Sequence, residues 1–180
     1  AVFSALVWLR QRQPSYLLFA LLGVASFLRA LHFFVPDVPI LEDVFSWVTL
    51  NSLFWLITVS HFAIAHLYGQ RQPFLSNGLL LCSVVTAVLT WPQAGWFANT
   101  NLLSPLIYIL GMCMSVAVVV GGLLGSWRRS VEGLWATACM ALCTSLGVVD
   151  WLLQVNVLGP PLYYPGAYIN TITFVVFGGL

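Results

Sequence analysis

The sequence predicts an all-α polytopic membrane protein, a bundle of seven transmembrane helices in which the first helix is incomplete. One observation is composition: 61% of the 180 residues are hydrophobic and 6% are charged, whereas soluble domains carry about 25% charged residues. Another is a series of apolar runs close to the ~20 residues that cross a ~30 Å hydrocarbon layer as a helix. A third is the placement of the arginines, which fall almost entirely between these runs.

Polar connections separate the first three runs. Residues 1–9 are apolar but stop at Arg10, so we interpret them as part of a first helix. Residues 15–34 have bilayer length and follow Pro14, a residue type tolerated in the first turn of a helix. The next connection contains two prolines and three carboxylates, which favours a loop. The third helix then covers residues 44–68.

Four more apolar runs follow. The run 74–91 starts after a second Arg-Gln-Pro triplet. The run 102–127 ends at Arg128, and the run 165–180 is preceded by Gly159 and two prolines. We take residues 1–180 for a single seven-helix transmembrane domain within a longer chain. The four runs cover, in order, residues 74–91, 102–127, 131–155 and 165–180.

The arginines predict the orientation of the bundle. Five of the six lie in the connections after the first, third and fifth runs, and the alternate connections contain none. Loops that carry Arg and Lys remain on the cytoplasmic side of a membrane. We therefore expect an integral membrane protein with the N-terminus outside and the C-terminus inside.

Arg29 is the one cation inside an apolar run, where a charged residue costs roughly 2.5–3.5 kcal/mol. Counted along the helical rise, Arg29 and Asp150 both lie toward the outer ends of their helices, so an ion pair between the second and sixth helices is feasible. The alternative is that Arg29 snorkels to the surface and Asp150 caps its helix in water. We favour this alternative, because the sequence does not show that the second and sixth helices are neighbours.

His32 follows Arg29 by one helical turn. With Arg29 and Asp150 it would form an outer cluster that binds a ligand or senses protons. The simpler interpretation, which we favour, is an interfacial histidine in a polar belt.

His61 is the most deeply placed histidine, and we interpret it as a structural polar residue inside the membrane. Paired histidines hold haem in membrane cytochromes, but His32 and His61 lie at depths that differ by about 13 Å. We therefore expect no haem, no other cofactor, and a hydrogen bond from His61 to another helix. Cys139 and Cys143 share one face of the sixth helix, and Cys113 lies at a similar depth on the fifth. No histidine or carboxylate lies nearby, which disfavours a metal site.

Small and polar residues predict how the helices pack. Gly121, Gly122 and Gly125 offer a surface for close helix contact. A further group of polar residues inside the runs predicts hydrogen bonds between helices; its members are Asn51, Ser52, Asn77, Thr144, Ser145 and Asn170.

Several function classes are excluded or disfavoured. A net charge of +1 argues against nucleic acid as a partner. The sequence contains no lysine, so a retinal Schiff base cannot form in these seven helices. Paired aspartates, a Ser-His pair in context and H-E-x-x-H are all missing from the sequence, which disfavours an enzyme within this segment.

Two stretches resemble a known family. Residues 8–48, WLRQRQPSYLLFALLGVASFLRALHFFVPDVPILEDVFSWV, and residues 148–180, VVDWLLQVNVLGPPLYYPGAYINTITFVVFGGL, are similar to the seven-transmembrane region of bacterial receptors with diverse intracellular signalling modules. The resemblance implies an integral location in a bacterial inner membrane, an outer input, and a cytoplasmic output domain after Leu180, such as a histidine kinase or a diguanylate cyclase. The positions that match are Arg29, His32 and Asp150.

The leading functional hypothesis is therefore a transmembrane sensor, active in two-component or cyclic-di-GMP signalling, that couples an outer small ligand to a cytoplasmic output. Its expected partners are membrane lipid, the output domain and a second copy in a homodimer. The alternative is a structural or transport subunit of a larger membrane complex. A transporter would show broken helices and internal symmetry, and the sequence shows little of either.

Overall fold

The structure is a computed structural model that describes residues 2–34, 42–70, 72–94, 100–155 and 157. This part of the chain is helical and contains six α-helices and one short 3-10 helix, Pro92–Ala94. The α-helices, in chain order, are α1 Val2–Gln11, α2 Pro14–Phe34, α3 Glu42–Tyr68, α4 Pro73–Leu89, α5 Thr100–Ser126 and α6 Val131–Gln154.

The helix bounds agree with the apolar runs to within two residues. Four helices, α2, α3, α5 and α6, are long and apolar enough to cross a membrane, so the chain is an integral membrane protein. Helix α4 is also apolar, but with 17 residues it is slightly shorter than a full span of ~20. The predicted seventh helix, residues 165–180, lies outside the described residues.

The helix ends follow the sequence chemistry. Both Arg-Gln-Pro triplets place their proline as the first residue of a helix, α2 and α4. Helix α3 closes at Gly69, whose φ of 70° suits a residue without a Cβ atom. The Ser130 hydroxyl caps α6 by accepting a hydrogen bond of 2.9 Å from the Gly133 amide, which satisfies one of the free amides of the first turn.

Consecutive helices run antiparallel. The start of α2 meets the end of α3, where Ser15 Oγ lies 3.0 Å from His66 Nε2. The start of α4 meets the last turns of α5, where Gln72 Nε2 donates to the Gly121 carbonyl oxygen. The connections α1–α2, α3–α4 and α5–α6 thus lie at one end of the bundle, which we call the arginine end. The other end is called the opposite end.

Helix α3 is the centre of the bundle. It packs against α2, α4, α5 and α6, and half of its span is buried, compared with 17–28% for the other three spans. Its fully buried side chains are both polar and apolar, since Asn51 and His61 are as inaccessible as Phe54 and Ile64. A polar centre of this kind requires hydrogen-bond partners inside the protein, because lipid offers none.

Those partners lie largely on α4. Trp47 Nε1 donates to the Ala87 carbonyl oxygen at 2.9 Å, and Asn51 Nδ2 donates to Thr90 Oγ1 at 3.0 Å. Two more bonds continue the series toward the arginine end, Thr58 to Ser83 and His61 to Ser76, each at 2.9 Å. We call these four bonds the α3–α4 ladder; their spacing along α3 is four, seven and three residues, which keeps them on one helix face.

The predicted glycine surface on α5 is confirmed. A Cβ atom added at Gly125 would lie 2.7 Å from Tyr68 Cζ, and one added at Gly122 would lie 2.6 Å from Thr137 Oγ1. Gly125 therefore faces α3 and Gly122 faces α6. These glycines let α5 approach both helices more closely than any larger residue would allow.

We predict that Gly125→Ala lowers stability, because the Tyr68 ring is buried and has no space to withdraw. Overpacking of this kind costs about 1–3 kcal/mol. Gly147→Ala in α6 is the matched control, since its added Cβ atom has nothing within 4 Å and should leave stability unchanged or slightly improved. Unfolding of the purified protein in mixed micelles by increasing SDS measures both; equal stability of the two variants would contradict the close packing.

Candidate functional site

The candidate site lies near the opposite end of the bundle, around the buried arginine. Arg29 sits fifteen residues after Pro14 on α2, so its Cα is about 22 Å along the helix from the arginine end. Its side chain is 9% exposed. The interpretation that Arg29 snorkels to the surface is therefore wrong; the side chain turns into the bundle instead.

Tyr108 on α5 contacts the guanidinium in two ways. Arg29 Nη2 donates a hydrogen bond of 3.1 Å to the Tyr108 hydroxyl oxygen, and Arg29 Cζ lies 5.4 Å from the centroid of the Tyr108 ring. The hydroxyl accepts from the cation and the ring attracts it through its negative π face. Both interactions stabilise the charge of the guanidinium.

Asp150 lies at the same height as Tyr108 on the neighbouring helix. A hydrogen bond of 2.6 Å between Ser115 and Thr144 joins α5 to α6 near the middle of the bundle. Tyr108 is seven residues and Asp150 six residues from that bond toward the opposite end, which places both about 10 Å beyond it. Asp150 is half-buried, so it is not simply a solvated cap. Its ion pair with Arg29 stays a prediction.

His32 completes the predicted cluster only in part. Its backbone continues α2 one turn beyond Arg29, and its side chain lies outside the described part of the chain. Its role as an interfacial residue or as a ligand contact therefore stays a prediction as well.

Pro105 interrupts α5 beside the site. It lies inside the helix, three residues before Tyr108. Proline has no amide hydrogen, so the bond that residue 105 would make to the carbonyl of residue 101 is missing. The first turn of α5 is thereby held less firmly than the rest, and Tyr108 sits immediately past this weak point.

His61 occupies a different position, toward the arginine end. It is 1% exposed, and its Nε2 is 2.9 Å from Ser76 Oγ on α4. This is the interhelical hydrogen bond that the sequence led us to expect. His61 belongs to the α3–α4 ladder and contributes to packing, about 13 Å from Arg29 along the bundle axis by residue count.

Some of the other polar residues predicted to bond between helices do so, and others bond within their own helix. Asn51 and Thr144 bond across helices as expected. Ser52 and Ser145 instead donate to carbonyl oxygens of their own helices, at Thr49 and Ala141; a serine in a helix can bond back to the preceding turn and then needs no second helix.

Two further predicted polar residues, Asn77 and Asn170, add nothing to this set. Asn77 is exposed on α4, and Asn170 lies outside the described residues. Cys113, Cys139 and Cys143 form no disulfide bonds in the described part of the chain.

Sequence reasoning missed Tyr108. The available signal was its position, because a tyrosine eight residues inside an apolar helix is far from the interface where tyrosines gather. A buried hydroxyl at that depth needs a partner, and Arg29 was the unassigned donor at a similar height.

Comparison with known protein families, with characterised proteins and with solved structures found no match. The fold and the site together define a helical integral membrane protein with a buried cation near one end of its bundle. The resemblance to bacterial seven-transmembrane receptors remains a prediction.

We predict that Tyr108→Phe destabilises the protein by about 1–2 kcal/mol, because it removes a hydrogen-bond acceptor from a buried cation and keeps the ring. Tyr108→Leu should cost about 1 kcal/mol more through loss of the ring–cation contact. Tyr16→Phe on α2 is the control. SDS titration of the three variants in micelles measures the differences, and indistinguishable curves for Tyr108→Phe and Tyr16→Phe would argue against the Arg29 bond.

Proposed function

We propose that this chain is a transmembrane sensor domain that couples a small ligand at the opposite end of the bundle to an output domain in the cytoplasm. The observation that carries the proposal is a buried arginine at 9% exposure that contacts a tyrosine from a distant helix. A purely structural contact would not require a full charge here, and the charge costs roughly 2.5–3.5 kcal/mol to insert.

The chemistry of Arg29 indicates the ligand class. A guanidinium has five N–H donors in a planar fork that matches carboxylate or phosphate oxygens. Tyr108 uses one donor, through Nη2. A small anionic ligand that enters from the opposite end would bind Arg29 more strongly than the tyrosine hydroxyl does, because charge-assisted bonds are about twice as strong as neutral ones.

The response would be a change in how α2 and α5 pack. The Arg29–Tyr108 contact connects these two helices, and Pro105 weakens α5 three residues away. A ligand that draws Arg29 away from Tyr108 would free the first turn of α5 to tilt at the proline. Such a ligand shifts the equilibrium between two packings by its difference in affinity for them.

Orientation supports the direction of signalling. The arginine end carries Arg10, Arg12, Arg128 and Arg129 among the described residues, and Arg71 belongs to the α3–α4 connection by sequence. The positive-inside rule then assigns the arginine end to the cytoplasm and the site to the periplasm of a bacterial inner membrane. A seventh helix over residues 165–180 would bring the C-terminus inside, next to an output domain.

The alternative is a structural or transport subunit of a larger membrane complex. The coding sequence that follows Leu180 in the native gene discriminates between this alternative and the sensor. A heptad linker that leads into a kinase or cyclase domain after Leu180 favours the sensor. A stop codon favours the subunit.

We predict that the arginine end is cytoplasmic. Gln93→Cys at the opposite end and Ser130→Cys at the arginine end form a matched pair, since both lie in short connections. A charged, membrane-impermeant maleimide applied to intact cells after outer-membrane permeabilisation should label Gln93→Cys and spare Ser130→Cys until the cells are lysed. The reverse labelling would invert the topology and remove the sensor proposal.

We predict that Arg29→Gln and Asp150→Asn each change the output activity of the full-length protein at least fivefold, and that the double variant changes it no more than the larger single effect. Groups that act as one unit are non-additive. Arg10→Gln, an exposed arginine at the other end of the bundle, is the control for loss of charge. Small, additive effects would remove the pair from the mechanism.

A further inference from the structure

A face of α5 carries a long apolar groove that the described helices do not fill. The groove has a volume of about 910 Å³ and is lined by one stripe of α5 and by the first turn of α4. Among its lining residues are Phe74, Ile109, Cys113, Val116, Val120 and Leu124. Its walls on α5 recur at three- and four-residue intervals, so the stripe stays on one face of the helix.

The part of this groove nearest the arginine end matches a lipid chain in length. From Cys113 to Leu124 the stripe extends about 16 Å along the helix. One leaflet contributes about half of a ~30 Å hydrocarbon layer. The residues are open to the surroundings of the bundle, with Phe74 95% and Leu124 75% exposed. A single acyl chain has the length and the chemistry to lie along this face.

The groove ends beside a cationic surface. Leu124, the last lining residue on α5, is followed four residues later by Arg128 and then by Arg129, both exposed. Trp127, directly before Arg128, is 63% exposed and has the amphipathic ring typical of a headgroup interface. Gln72 also lines this end of the groove.

The charge balance at this end favours an anion. The described residues beside this end of the groove include two arginines, Arg128 and Arg129, and one nearby carboxylate, Glu132, which accepts a hydrogen bond from Ser130. Basic residues next to a membrane surface attract anionic lipids. The excess of positive charge therefore lies where the headgroup of a lipid seated in the groove would be.

We propose that the α5 groove binds one anionic phospholipid, with an acyl chain along Cys113 to Leu124 and its phosphate at Arg128 and Arg129. This site is separate from the Arg29 site, which lies toward the opposite end of the bundle. Among the described helices, neither α3 nor α6 contacts this side of α5, so a bound lipid would cover it and hold α5 in place against α4.

Native mass spectrometry of the purified full-length protein tests the proposal, with phosphatidylglycerol and phosphatidylcholine of identical acyl chains as probes. We expect one phosphatidylglycerol to bind at concentrations where phosphatidylcholine does not. Replacing both Arg128 and Arg129 by Gln should weaken phosphatidylglycerol binding about 30-fold, since each basic residue contributes about fivefold. Equal binding of the two lipids, or no effect of the double variant, would overturn the proposal.

A second variant tests the groove itself. Val120→Trp should fill it and abolish binding of phosphatidylglycerol, whereas Val84→Trp, on an exposed part of α4 outside the groove, should bind as the parent does. If Val120→Trp does not fold, a bulky aromatic maleimide attached to Cys113 in the folded protein replaces it, in a variant whose other three cysteines are alanine. Unchanged lipid binding after either modification would overturn the proposal.

The reactivity of the Cys113 thiol shows whether something other than lipid covers the groove. A disulfide-linked dimer through Cys113 after mild oxidation would assign the groove to a second copy of this chain. A Cys113 thiol that resists N-ethylmaleimide in delipidated detergent would assign it to another part of the same chain. Either result would overturn the lipid site, and rapid alkylation that phosphatidylglycerol slows would support it.

Discussion

The structure depends on one constraint: polar groups inside a membrane must find partners within the protein, because lipid supplies neither donors nor acceptors. Helix α3 shows how the chain meets it. The helix places Asn51, Thr58 and His61 on a buried face. Each of them forms a hydrogen bond with a hydroxyl group on α4 or directly after its last residue. Apolar side chains such as Phe54 fill the spaces between the bonds, so α3 becomes the axis around which the remaining helices pack.

Arg29 meets the same constraint with a partner on a distant helix, Tyr108 on α5. In the α3–α4 ladder the hydroxyl groups of Thr58 and Ser83 are neutral, whereas Arg29 brings a charged guanidinium to the Tyr108 hydroxyl. An anion can therefore compete with that hydroxyl for the guanidinium. This difference separates a rigid part of the bundle, α3 with α4, from the α2–α5 contact beside Pro105, where a change of partner can alter the packing.

Helix positions were predictable because apolar length is a local property. The runs 15–34, 44–68, 102–127 and 131–155 became α2, α3, α5 and α6 with ends shifted by two residues or fewer, since the prolines, glycines and arginines that end them act within a turn. Gly122 and Gly125 were equally readable, because only residues without side chains permit such close contact. Ser52 was misjudged, since a serine has partners in its own helix and in others, and sequence does not rank them.

The sequence by itself determined that this is a helical membrane protein, where its helices begin and end, and that Arg29 is its most costly residue. Those conclusions follow from composition and spacing, which the bilayer converts directly into structure. Only the tertiary structure decided that α3 is central, that Arg29 turns inward, and that Tyr108, 79 positions away, receives it. Helix adjacency depends on how side chains of distant segments interlock, and the periodicity of one helix carries no record of the neighbour it will meet.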